Sequence, residues 1–255
     1  MYPEPPPVQP TPEDLGVLAD LAEVFNSLGD SLHGSIVSRP MVGVPGSPYA
    51  ADFAQDTLGE RSLLSFGVPG ALGLLQGIRG NARALALLYR NAGPPFIDPA
   101  PFELMRGIWE KSVLSAWLLD NGVSSAERLG RIKGWIASGL WHGASTLPAD
   151  TQADIQAMLE DCRTPEIRLP KWTALSKNFS VSGEALYREL SGLLHGRVWS
   201  VMPAFATAWD DAGLVIAWRG YPLPLHLELA SAITAAATTA MESVRGYFAD
   251  SREAG

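Results

Sequence analysis

The stretch from Asp98 to Gly122, "DPAPFELMRGIWEKSVLSAWLLDNG", constrains the fold of this chain more than any other segment. Aspartate suits an N-cap, proline is tolerated in a first turn, and Asn-Gly ends a helix, so the segment carries its own start and stop. Between those signals the apolar side chains recur at helical spacing. The same pattern recurs along the chain. Thr11, followed by Pro12, Glu13 and Asp14, opens a helix in which Leu15, Leu18, Leu21, Ala22, Phe25 and Leu28 repeat three or four residues apart. Further helices are expected over Pro48 to Phe66, Pro69 to Asn91 and 149–162. Ser124 and Glu127 form a capping box ahead of "RLGRIKGWIASGLWHG", and Leu223 to Phe248 makes a last helix rich in alanine and threonine.

One segment leaves the helical period. "AFATAWDDAGLVIAWRG" sets alternating, β-rich runs on either side of "DDAG", which predicts a small β-hairpin insertion near residues 204–218. Residues 1–12 read as a proline-rich flexible tail, and 13–250 as a single α-helical domain. The expected fold class is therefore mainly α, a single helical bundle.

Composition narrows the function classes. A chain of 255 residues, 47% hydrophobic and 18% charged, can bury a sizeable core. A net charge of -8 argues against a general nucleic-acid binder, so no DNA partner is expected, although a local basic site is compatible with it. Cys162 is the only cysteine, which excludes an internal disulfide and a cysteine-based zinc site, and a cytoplasmic location is the simplest expectation. No run of about 18 apolar residues appears, so no membrane partner is expected. The histidines lie far apart, paired acids at ligand spacing are missing, and there is no P-loop or dinucleotide fingerprint. Neither metal nor cofactor is expected.

The chemistry-bearing stretch is "YRELSGLLHG", residues 187–196. Residues seven apart on an α-helix differ by only about 20° around its axis, so Arg188 and His195 share a face. Glu184 and Ser191 fall near the same line. A histidine at such a place can move a proton near neutral pH, and an arginine can hold a phosphate or stabilise developing negative charge. The plainer alternative is a surface stripe in which Glu184 and Arg188 form an i,i+4 ion pair. Arg106 and Glu110 make a second i,i+4 pair on the Asp98–Gly122 helix. They are expected either at its edge or paired inside the bundle with the Arg188–His195 face.

Taken together, "FELMRGIWEKSVLSAWLLD", "ERLGRIKGW" and "YRELSGLLHG" resemble the pattern of bacterial HEPN-like helical domains, with an R-x3-E helix and a later Y-x2-L-S-x3-H helix. The resemblance covers roughly residues 80–200. It implies a helical bundle, a homodimer, and metal-independent cleavage of RNA of the toxin or defence type. Many such proteins carry an arginine and a histidine separated by four to six residues, and six separate Arg188 from His195. Glu189 stands where these proteins usually have a small polar residue or histidine. On this resemblance Arg188 and His195 are the catalytic pair, with Glu184 and Ser191 beside them, and Arg106, Arg128 or Arg131 contact the RNA backbone.

The tryptophans suggest a different class. Trp117 and Trp135 sit on core-like faces of neighbouring helices, and Arg106, Glu110, Tyr187 and His195 can converge on them. An aromatic pocket of that kind suits a small organic molecule, as in an enzyme or binding protein of specialised metabolism. A non-enzymatic helical interaction module is the third possibility.

Overall fold

A computed structural model describes residues 11–37, 44–56, 62–91, 100–143, 146–195, 205–210, 213–218 and 221–249. The expected tail lies outside them through residue 10, as does the expected cap at Asp98. The chain is mainly helical, in the order α1 (Pro12–Val37), α2 (Pro48–Gln55), α3 (Leu63–Asn91), α4 (Ala100–Leu118), α5 (Ser125–Gly143), α6 (Ala149–Asp161), α7 (Trp172–Phe179), α8 (Gly183–Leu194) and α9 (Leu223–Phe248). Strands β1 (Phe205–Asp210) and β2 (Gly213–Trp218) pair antiparallel, with Phe205 opposite Trp218 and Asp210 opposite Gly213.

Four helices, α1, α3, α4 and α9, close into a ring. α1 packs along α3, α3 along α4, α4 against α9, and α9 back against α1. The seam between α9 and α1 is the least extensive of the four. Their inner faces supply the core, in which Phe25, Leu85, Tyr89, Phe102, Met105, Ile108, Ile233 and Tyr247 are all sealed from solvent. Phe25 stacks on Tyr89 with ring centres 6.0 Å apart. Such burial is the main drive to fold, at roughly 25 cal/mol per Å² of apolar surface. Around the ring, α5 lies on α2 and α3, α6 on α5, and the α7–α8 pair on α4.

Local chemistry sets the helix starts. Thr11 donates its backbone N–H and its hydroxyl to Asp14 Oδ2 at 2.9 and 2.8 Å, while Asp14 N–H donates back to Thr11 Oγ1 at 3.1 Å. Ser124 Oγ accepts from Glu127 N–H at 3.3 Å at the head of α5.

Two boundaries differ from expectation, the first being that α2 ends at Gln55, capped by Asp56, where the spacing predicts one helix from Pro48 to Phe66. The pattern also predicts a break between Phe66 and Pro69, yet α3 starts at Leu63 and runs on through Pro69. Its first turn is secured upstream, because Asp56 Oδ2 accepts from Leu64 N–H at 2.9 Å and Ser62 Oγ accepts from Ser65 N–H at 3.1 Å. Packing then holds the turn around the proline against α5. An added Cβ would stand 2.5 Å from Ile132 Cγ2 at Gly67, and 2.4 Å from Trp135 Cη2 at Gly70. Tertiary contact overrides the local cost of a proline beyond the first turn.

Candidate functional site

α8 is amphipathic. Gly183, Tyr187, Leu190 and Leu193 are buried, whereas Ala185, Arg188 and Glu189 are exposed. The stripe of Glu184, Arg188, Ser191 and His195 runs along the shoulder between these two faces, which explains why Glu184 and Ser191 are only half-buried. The close approach of α7 fixes where that shoulder sits. A Cβ on Gly183 would lie 1.9 Å from the Ser176 carbonyl oxygen, so only glycine fits. Ser176 is anchored in turn, since its Oγ accepts the buried Trp109 indole N–H from α4 at 2.9 Å.

Within the stripe, Arg188 Nε and Nη2 donate to Glu184 Oε1 at 2.9 and 2.7 Å. The pair faces solvent, with side chains 60% and 35% exposed. His195 is the C-cap residue of α8, is exposed, and donates its backbone N–H to the Ser191 carbonyl at 3.0 Å.

On α4, Arg106 Nε donates to Glu110 Oε1 at 2.8 Å, and its Nη2 reaches the Tyr187 hydroxyl at 3.4 Å. The guanidinium carbon lies 5.5 Å from the centre of the Tyr187 ring. Burial works against the Arg106 charge, but the Glu110 carboxylate and the Tyr187 hydroxyl together raise the pKa above the ordinary value. Arg106, Glu110 and Tyr187 therefore form one part-buried cluster where α4 meets α8. Its charges are balanced within α4, not by Arg188, whose partner is Glu184.

The remaining sequence candidates lie at other contacts. Arg131 is buried, donates to the Trp117 carbonyl at 2.6 Å and to Glu127 Oε1 at 2.6 Å, and stacks over the Trp117 ring at 5.1 Å. Trp135 is half-buried, and its ring rests against Gly70. Trp117 thus has an arginine of the same chain on its face, and Trp135 packs on a helix backbone. Two adjoining grooves, of ≈ 580 and ≈ 680 Å³, lie instead between α1 and α9. Neither Trp117, Trp135, Arg106 nor His195 lines them.

Among the described residues, two buried polar clusters have no spacing signature in the sequence. Asp52 on α2, wholly sealed from solvent, accepts from Arg128 Nε at 2.9 Å, from Arg128 Nη2 at 2.8 Å and from the Tyr247 hydroxyl at 3.0 Å. Arg128, expected as a possible contact to RNA backbone, is 3% exposed and committed to this carboxylate. The second cluster pairs the Tyr89 hydroxyl with His226 Nδ1 at 2.9 Å, with Phe102 against the imidazole and Tyr221 edge-on to Phe102. Burial drives the His226 pKa down to about 4 and that of Tyr89 up. The partners come from helices far apart in sequence, so no spacing rule announces them. The one available signal was an acid within the short apolar run "PYAADFAQ".

Among the described residues no three His, Cys, Asp or Glu side chains cluster as metal ligands, and no helix is long and apolar enough to cross a membrane. No family model, curated protein or solved structure matches the chain.

Proposed function

We propose that this chain is a HEPN-like helical bundle that cleaves RNA without a metal, in a toxin or defence role, with Arg188 and His195 as the reacting pair. One observation carries the reading: Arg188 and His195 both stand in solvent along the same shoulder of α8, each open to an approaching RNA backbone. In this mechanism His195 takes the proton from a ribose 2′-hydroxyl, and the 2′-oxygen attacks phosphorus. The bond from phosphorus to the 5′-oxygen breaks, a 2′,3′-cyclic phosphate remains, and the proton passes to the leaving oxygen. Arg188 stabilises the charge that develops on the phosphoryl oxygens. The two residues are separated by about 10 Å of helix rise, more than one phosphate spans, so two protomers joined α8 to α8 would complete each other's sites. β1 and β2 then form a small hairpin insertion between α8 and α9.

The pocket alternative draws less support, because Arg131 already stacks over the Trp117 ring and the edge of the Trp135 ring rests against Gly70. The test is incubation of the purified chain with labelled single-stranded RNA in EDTA. Cleavage leaving cyclic-phosphate ends is expected, with a loss of about 10²–10⁴-fold in His195→Ala and Arg188→Ala and unchanged circular dichroism. RNA left intact by the wild-type protein refutes the reading.

A further inference from the structure

The ring of long helices is weakest at one seam, and that seam has a character of its own. From α9, Ala230, Ser231, Thr234 and Thr238 face it, small side chains that cannot reach across to α1. From α1, Leu21 and Val24 provide its apolar wall. Val24 and Leu227 remain 42% exposed there, on helices whose other large apolar side chains are mostly sealed. The lining runs from Asp20 to Ser31 on α1 and from Leu227 to Met241 on α9. At 1.5 Å per residue these spans measure about 16 to 21 Å, the length of a helix of three to four turns.

Charge then decides what fits. α1 carries Glu13, Asp14, Asp20, Glu23 and Asp30 and has no lysine or arginine. Asp20 and Glu23 border the groove. Glu23 meets Arg90 at 3.6 Å, yet its side chain stays 68% exposed. An apolar floor with an acidic border complements a helix that has an apolar stripe flanked by lysine or arginine. A second copy of this chain docked seam to seam fits poorly, because the residues lining the groove include no lysine or arginine to meet Asp20 and Glu23.

We propose that the α1–α9 groove docks a basic amphipathic helix of a partner protein. The proposal is independent of the reaction assigned to α8. Two labelled helical peptides of about 14 residues test it, sharing one leucine stripe and differing in lysine or glutamate at the polar positions. Fluorescence anisotropy is expected to show binding of the lysine peptide, weakened by salt, and none of the glutamate peptide. Asp20→Lys with Glu23→Lys should reverse that preference. Val24→Asp, at a half-exposed position, should weaken lysine-peptide binding roughly tenfold or more, and Leu227→Asp repeats the test on the other wall should the first variant melt early. The proposal is overturned if neither peptide binds, or if both wall variants bind the lysine peptide as well as the wild type. It is also overturned if sedimentation shows a homodimer that Val24→Asp dissociates.

Discussion

Tyr247, near the end of α9, donates its hydroxyl to Asp52 Oδ2 at 3.0 Å across 195 positions of sequence. Arg128 of α5 grips the same carboxylate with two nitrogens, and its Nη1 donates to the carbonyls of Asp120 and Val123. Three helices are thus tied at one buried point. A buried ion pair gains little over an apolar replacement, but breaking it leaves a charge without a partner. Burial first, and then the Asp52 charge, hold the Tyr247 pKa above its ordinary value, so the phenol stays protonated and able to donate. Arg128→Leu is therefore expected to lower unfolding free energy by about 3–5 kcal/mol in urea titrations. Tyr247→Phe should cost about 1.5–3 kcal/mol, and Asp52→Leu combined with Arg128→Leu less than Arg128→Leu alone. Equal losses in that single and double variant would show that the ion pair does not couple the helices.

His226 supplies a pH dependence. Its pKa falls from 6.5 in the unfolded chain to about 4 in the fold, because burial against Tyr89 and Phe102 penalises the imidazolium. Between those values the unfolded state binds more protons, so stability rises with pH across this window. The contribution is complete above pH 6.5 and is lost as pH falls towards 4, about 3 kcal/mol in all. Chemical denaturation at intervals across that range should show this slope in the wild type, and His226→Gln should flatten it.

Two glycines should respond in opposite directions to one substitution. At Gly134 an added Cβ would stand 1.9 Å from the Ile167 carbonyl oxygen, where the segment after α6 crosses α5 and Ile167 N–H donates to the Gly130 carbonyl at 3.0 Å. Gly134→Ala must push that backbone away and should lower the melting temperature by several degrees. Gly80, exposed within α3, has nothing within 4 Å of its would-be Cβ. Gly80→Ala should stabilise by about 0.5–1 kcal/mol through helix propensity.

The α8 stripe should matter little for folding. Glu184 and Arg188 form an exposed i,i+4 pair, worth about 0.3–0.5 kcal/mol and screened by salt. Glu184→Gln and Arg188→Ala should each lower the unfolding free energy from urea titrations by no more than this. A larger loss would mean that the stripe is part of the scaffold, and any fall in activity would then need a structural explanation.

The helices were legible because each carries its own code. Thr11 with Asp14, Ser124 with Glu127, and the repeats of Leu18, Leu21, Phe25 and Leu28 act over three or four residues, a range that sequence displays directly. The same short range placed Glu184 beside Arg188 and Arg106 beside Glu110. Even so, it failed at Pro69, where packing of Gly67 and Gly70 against α5 keeps α3 continuous.

A mainly helical chain, most of its helix limits, and the charged neighbours along each helix all follow from the order of residues. Which polar groups meet across helices, as with Asp52, Arg128 and Tyr247, or Tyr89 and His226, emerges from the packing of the helices. That packing alone also sets the two tryptophans against Arg131 and Gly70, and leaves the α1–α9 seam open. The physical reason is range. Capping and periodicity are properties of one turn, whereas burial, ion pairing and grooves depend on how whole helices stack, and on which small residues let them approach.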